Sequence, residues 1–340
     1  MGQMSLPPTT RRLIPCVTVA ALTLSACSTL TPAREPVRGQ ATAGGVVRGS
    51  GGAGTDPSGN PSVAVSTAPP SPSALTADAY RAELEQAREP VRQALQKVAS
   101  TGGLNGLDGR VRKAADAVDQ AVTRLQVLTP PPEVAAQHGN YLGTLRTFGG
   151  ALRDAVQGVR AQETCTGPSV LTKLEKDGEL SVMKDAAAAL TGYPADVVSV
   201  KAAKQQNRRL PNGRILKSYE SRTGRGSLKV DNGGDYDAFV VVLRGKKRVV
   251  SFYVRKKGKA TISGIRDGKY KVYYSTGTDW DAKRKAFTRS CDFTQFGKTV
   301  PYKTTYSGAY IRWNNWTITL HSVKGGTVAS KPVKPGDFPK

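Results

Sequence analysis

Apolar positions along the chain follow two different periods, and the change between them divides the sequence. From Leu75 to Leu190 they recur every three or four residues, the spacing that lines one face of an α-helix. Leu84, Ala87, Val91, Leu95 and Val98 predict a first helix, with Asp78 as its cap and a kink at Pro90. Gly102 and Gly103 end it, and Leu107, Val111, Ala114, Val118, Val122 and Leu125 begin the stripe again as a second. Pro130-Pro131-Pro132 stops that helix. Val134, His138, Tyr141, Leu145, Phe148, Leu152, Val156 and Val159 form a third, and Val170, Leu171, Leu174, Met183, Ala187 and Leu190, after Gly167-Pro168, a fourth. Four helices joined by short loops fold most simply as an antiparallel four-helix bundle.

Beyond Gly226 the period drops to two and the residues become Val, Tyr, Thr and Ile. Ala238 to Leu243, Val249 to Val254, Ala260 to Ile262, Lys269 to Tyr274 and Trp316 to Val323 read as strands. Asn232-Gly233-Gly234, Arg244-Gly245-Lys246, Lys257-Gly258, Arg266-Asp267-Gly268 and Gly277-Thr278 read as the turns between them. Short strands at this spacing predict an antiparallel β-sandwich. In the last strand Trp316, Ile318 and Leu320 share one face, which places Trp316 in the core and His321, on the other face, toward solvent.

Ser28 to Ser73 is almost entirely Ala, Gly, Pro, Ser, Thr and Val, a composition that cannot bury a core. It predicts a disordered tether spanning roughly 35 to 40 Å. Its glycines, Gly49 to Gly54, follow no strand and precede no Gly-Lys-Ser/Thr, so they do not form a phosphate loop. The expected organisation is a signal peptide over 1–26, the tether over 27–74, the helical bundle over 75–198, a basic linker over 199–225 and the sandwich over 226–340.

Arg11-Arg12 supplies positive charge ahead of a short apolar run, Leu13 to Ala26, that is too short to span a bilayer as a mature helix. The run ends in Leu24-Ser25-Ala26-Cys27, which resembles the lipobox of bacterial lipoproteins. That resemblance implies diacylglycerol on the Cys27 thiol and cleavage before it, which would hold the protein on the extracytoplasmic face of a membrane. An ordinary secretory peptide is the alternative. Cys16 follows Pro15 inside the apolar run, where a lipidated cysteine does not belong. Arg11-Arg12 leaves export by the general secretory or the twin-arginine route open.

The 340 residues carry a net charge of +24 and are 38% hydrophobic, low in core formers for such a length. From Leu75 to Val198, 14 basic residues face 15 acidic ones, whereas from Gly226 to Lys340 there are 23 basic and 8 acidic. The positive charge belongs to the C-terminal half. Its field attracts nucleic acid, anionic lipid or anionic wall polymer alike. Export would remove contact with cellular DNA and RNA, so the expected partners are the membrane through the lipid, an anionic wall polymer or an envelope protein. Three exposed-looking runs would supply the polyanion contact: Lys246-Lys247-Arg248, Arg255-Lys256-Lys257 and Lys283-Arg284-Lys285. A solvated face that keeps the protein soluble is the competing reading.

Ala238 to Trp280 resembles a small, uncharacterised β-sandwich module of prokaryotic envelope proteins. The matching residues are Ser251-Phe252-Tyr253-Val254-Arg255, Gly264-Ile265-Arg266-Asp267-Gly268-Lys269-Tyr270 and Tyr274 to Asp281, with Phe338-Pro339 at the end. The layout also resembles transthyretin-like sandwiches. The resemblance implies a fold for the last third of the chain and no activity.

Asp279-Trp280-Asp281 is the most suggestive local cluster. An exposed Trp between carboxylates could stack on a sugar while the acids bind hydroxyls or an ion, with Trp313, Trp316, Tyr306 and Tyr310 extending the face. The competing reading folds Trp280 back as the plug of the sandwich. Ser181-Val182-Met183-Lys184 matches a Ser-x-x-Lys motif without its partner motifs. The two histidines have no triad or metal companions, so no cofactor, metal or catalytic constellation is expected and the chain reads as a non-enzymatic protein. A ligand or sensor protein is a further alternative. Cys165 and Cys291 are the two cysteines left after Cys16 and Cys27; in an oxidising compartment they would pair, and two buried free thiols are the alternative.

Overall fold

A computed structural model describes residues 73–321 and 329–339. The expected signal peptide, Cys27 and the tether lie outside the described residues, apart from the two residues that close the tether. Those described form a mixed α plus β structure of five α-helices and twelve strands.

The helices are α1 (Ala77–Ala99), α2 (Leu107–Leu125), α3 (Ala135–Arg160), α4 (Gly167–Lys176) and α5 (Glu179–Ala188). Every apolar position of the four expected stripes is buried in one continuous core. Three local expectations change. Thr76, not Asp78, caps α1, accepting a hydrogen bond from the Ala79 backbone N–H, while Asp78 sits in the first turn. The helix also runs on through Pro90 to Ala99. The expected fourth helix is two, because Gly178 adopts a left-handed φ of 88° after Asp177 and the chain turns there. Past α5 the chain runs without helix, and Ala195, Val197, Val198 and Val200 add to the helical core. Tyr141 donates its hydroxyl proton to the Ala195 carbonyl at 2.7 Å, and Asp196 pairs with Arg88 and Arg92 of α1.

Two principal sheets follow. One has the order β1 (Ile215–Ser218), β4 (Lys247–Val254), β3 (Asp237–Arg244), β6 (Gly268–Asp281), β7 (Ala286–Phe296), β12 (Ser330–Pro332), with β8 (Val300–Tyr302) also pairing β6; all these pairs are antiparallel. The other joins β11 (Asn315–Thr319), β2 (Gly226–Asn232) and β5 (Gly258–Ile265), and here β11 runs parallel to β2, against the expectation of antiparallel pairs throughout. A separate two-stranded hairpin pairs β9 (Thr305–Ser307) with β10 (Tyr310–Arg312).

A single apolar cluster draws Leu228, Val230, Ile262 and Ile318 from the smaller sheet and Val240, Val242, Phe252 and Val272 from the larger. The opposite face of the larger sheet is buried too. Phe239, Val241, Tyr253 and Phe293 meet Phe338 from the C-terminal segment, with Leu104, Leu210 and Leu216 packed at the edge. Burial on both faces explains why β3 reads as an unbroken apolar run instead of an alternation.

Gly277-Thr278 is not a turn. β6 continues through it with a register shift between Thr276 and Thr278, because a Cβ at residue 277 would stand 2.5 Å from the Phe287 Cβ and glycine alone lets β7 approach. His321 lies beyond β11 and is half-buried, its Nδ1 accepting the Gly233 backbone N–H at 3.1 Å, so it is not a solvent-facing strand residue. Trp316 is half-buried against the inter-sheet core and donates Nε1–H to the Pro301 carbonyl at 2.7 Å.

Candidate functional site

The α3–α4 connection and the start of β7 run side by side. Cys165 N–H donates to the Thr288 carbonyl at 2.8 Å, Ser290 N–H to Glu163 at 3.1 Å and Cys291 N–H to Gln162 at 3.1 Å. Cys165 and Cys291 close the contact as a disulfide, with Cα atoms 6.3 Å apart. The segment after α5 joins the same place: Trp280 N–H donates to the Arg208 carbonyl at 2.9 Å, and Arg289 reaches the Gln206 carbonyl and the Asn207 side chain. Three non-glycine residues here, Gln162, Asp279 and Ser290, have positive φ angles of 61°, 60° and 48°. Such backbone persists only where neighbours hold it, and it gathers at sites under constraint.

Two consecutive arginines fasten this segment to the sheet. Arg208 forks onto Asp279 through Nε and Nη2, both at 2.8 Å, and Arg209 forks onto Asp237 at 2.7 and 2.6 Å. Thr288 donates its hydroxyl proton to Asp279, while Tyr253 and the Lys256 backbone N–H donate to Asp237. Burial alone would raise both carboxyl groups; the hydrogen bonds from the arginines and their companions outweigh it and hold both below the ordinary aspartate value. Asp281 behaves the same way, with burial opposed by Arg284.

Between α4, this segment and the ends of β6 and β7 lies a cavity of about 330 Å³. Asp279, Asp281 and Thr288 come from the strands, Arg284 from the turn joining β6 to β7, Lys173 and Lys176 from α4, and Lys204 and Arg208 from the segment between. The acids are largely matched inside the wall, Asp279 by Arg208, Asp281 by Arg284 and Asp177 by Lys173. Lys176, Lys204 and Arg289 line the same space with no carboxylate partner among the described residues, against one unmatched acid, Glu163. The cavity therefore carries an excess of positive charge and lies near the lower end of the size range of small-ligand sites. No family model, curated protein or solved structure matches this chain.

Of the sequence-derived candidates, the structure brings Asp279, Asp281 and Arg284 to this cavity. Trp280 is not among its lining. It is 2% exposed, its ring centred 5.0 Å from Phe239 and 5.1 Å from Phe287, so it offers no face for a sugar; it is the plug of that side of the sheet. The stacking expectation for Asp279-Trp280-Asp281 is corrected accordingly. The carboxylates on either side are turned to arginine instead of a ligand.

The three basic runs do not form one surface. β4 and β6 run in the same direction, each antiparallel to β3, so Arg255-Lys256-Lys257 and Lys283-Arg284-Lys285 follow strand ends on one side. Lys246-Lys247-Arg248 enters β4 at the opposite end, Lys247 and Arg248 being its first two residues, and Arg248 lies 4.6 Å over the Tyr219 ring. Arg255 donates to the Leu210 carbonyl, and Lys257 pairs with Asp235. Ser181 and Lys184 are exposed on α5, the hydroxyl donating to the Gly178 carbonyl and the ammonium paired with Glu175. His138 is buried, its Nδ1 sharing a hydrogen with the Tyr80 hydroxyl at 2.8 Å. Among the described residues no group of three or more His, Cys, Asp or Glu side chains converges as metal ligands would, and no helix is long and apolar enough to cross a membrane.

Arg208, Arg209, Lys176 and Lys204 were not visible as site residues in the sequence. Arg208 and Arg209 stand out there only as part of a basic run, and the acids they meet lie 71 and 28 residues away.

Proposed function

We propose that this chain is an exported, membrane-anchored, non-enzymatic binding protein that holds one unit of an anionic envelope polymer in the cavity beneath α4. In this reading the helices make a bundle whose fourth member is broken in two, the two principal sheets make a sandwich, and Cys27 carries the lipid. The observation that carries it is the charge left over in the cavity wall. Lys176, Lys204 and Arg289 line this space with no carboxylate partner among the described residues, and the positive field they leave there draws an anion even though both lysines are exposed. The Cys165–Cys291 bridge supports export, since such bonds persist in oxidising compartments.

The test is retention on isolated cell envelopes as salt is raised, comparing the Cys27→Ser chain with the same chain carrying Lys176→Glu and Lys204→Glu. Lipid-independent retention that falls steeply between about 0.05 and 0.2 M salt, and that is lost in the double variant, is expected. Equal retention by both chains at every salt concentration would sink the cavity reading. Cys27→Ser should also move the protein from the detergent-extracted to the aqueous fraction.

A further inference from the structure

Seven large apolar side chains stand exposed among the described residues, and four of them fall within eight positions: Tyr306 (71%), Tyr310 (71%), Ile311 (38%) and Trp313 (44%). They belong to the β9–β10 hairpin and the residue just past it. The hairpin pairs with neither principal sheet, and every residue of both its strands is exposed. Tyr306 and Ile311 are directly opposite in the ladder and so share a face. An isolated two-stranded hairpin gains little from its own pairing. Four bulky apolar groups on such an arm contribute nothing to either core, and nothing among the described residues covers them, which marks the arm as a contact surface.

The charge around the arm selects the occupant. From Phe293 to Gly336 the sequence contains no Asp or Glu, while Lys298, Lys303 and Arg312 fall within it. Arg225 lies 5.8 Å over the Trp313 ring. Lys303, Arg312 and Arg225 have no carboxylate partner among the described residues. One carboxylate reaches the base of the arm, Asp267, which accepts from the Thr304 backbone N–H and hydroxyl at 2.7 and 2.8 Å, and the cations still outnumber it. Tyr and Trp beside an excess of basic residues is the composition of segments that sit at a bilayer surface, where the rings occupy the headgroup level and the cations meet phosphate. A protein interface core would be depleted of the charges seen here.

We infer that the β9–β10 hairpin is an interfacial contact for anionic phospholipid, with Tyr306, Tyr310, Ile311 and Trp313 entering the headgroup layer and Lys303, Arg312 and Arg225 holding lipid phosphates. This contact is separate from the cavity and does not depend on the anionic-polymer reading. For a chain tethered by its N-terminus, it would supply a second, reversible attachment that sets how the folded part lies on the membrane.

Trp313 is its own reporter. Trp280 is buried and Trp316 half-buried, so the difference in emission between the Cys27→Ser chain and the same chain with Trp313→Phe isolates residue 313. Vesicles of phosphatidylcholine with a minor share of phosphatidylglycerol should shift that emission to the blue and co-sediment the chain. Pure phosphatidylcholine should do neither. Replacing Tyr306 and Trp313 by Ser should weaken partitioning roughly tenfold or more, with an unchanged urea midpoint because neither residue is in a core. Lys176→Glu with Lys204→Glu should leave vesicle binding as it was, which separates this contact from the cavity. A blue shift produced by soluble polyphosphate or by an oligosaccharide but not by anionic vesicles would overturn the inference, as would vesicle binding unaffected by the double Ser variant.

Discussion

Arg208 holds Asp279 by three donors, Nε and Nη2 at 2.8 Å and the backbone nitrogen at 2.9 Å from its carboxylate oxygens. One residue further on, Arg209 repeats the fork on Asp237. Together they lay the segment between α5 and β1 across the end of the larger sheet, and that path makes one wall of the cavity.

Asp279→Asn should destabilise the fold by about 1 to 3 kcal/mol, reduced from the value for a fully buried pair because the Arg208 side chain is nearly half exposed. Asn tolerates the left-handed backbone at this position, so the loss reports on the ion pair; Asp279→Ala should cost more. Urea midpoints of the two variants check the order, and equal midpoints would remove the backbone part of the explanation.

Acid sensitivity follows from the same residues. Asp237, Asp279 and Asp281 all sit below the ordinary aspartate value when folded, so the unfolded chain binds more protons as pH falls past about 4. Their contribution is complete above the unfolded value and disappears as pH falls through the folded ones. Stability followed from about pH 5 to pH 2 should drop steeply in the native chain and less steeply in Asp279→Asn.

His138 shifts stability in a higher window. Burial lowers its pKa against a smaller opposing contribution from the Leu125 backbone, so the unfolded chain binds the proton first as pH falls below about 6.5. Stability should therefore decline from neutral pH toward pH 5. Substituting His138 by Gln should flatten that part of the curve while lowering the plateau, since the hydrogen bond with Tyr80 is weakened. A slope that survives the substitution would assign it elsewhere.

Reducing the Cys165–Cys291 bridge, or replacing both residues by Ser, should lower stability by about 4 kcal/mol, because the two cysteines are 126 positions apart and the bridge closes a very long loop. The comparison is a urea titration with and without dithiothreitol. The same treatment should weaken envelope retention, since Thr164 and Thr166, which flank Cys165, line the cavity.

Gly167→Ala should cost about 3 kcal/mol or prevent folding, since a Cβ there would come within 1.7 Å of the Val98 carbonyl oxygen at the end of α1. Gly139→Ala, exposed on α3 with nothing within 4 Å, should instead stabilise the helix by about 0.5 to 1 kcal/mol. Thermal midpoints of the pair distinguish close packing from helix propensity.

The periodicity of apolar residues determined which side chains enter the helical core and where β3, β4, β5, β6 and β11 lie, but not β2. Every stripe position from Leu84 to Leu190 is buried, because burial of one face follows from local geometry alone. The same local signal missed β7, whose Arg289, Ser290 and Asp292 interrupt it, and misread Gly277 as a turn, because the reason for that glycine is a neighbouring strand. Trp280 could be placed in either environment from its neighbours in sequence; only the packing of Phe239, Tyr253 and Phe287 around it put it inside. The cavity depended on tertiary structure entirely. Its cations are drawn from α4, from the segment before β1 and from the β6–β7 region, and whether a charge is spare or matched depends on which distant carboxylate the fold brings within hydrogen-bonding reach.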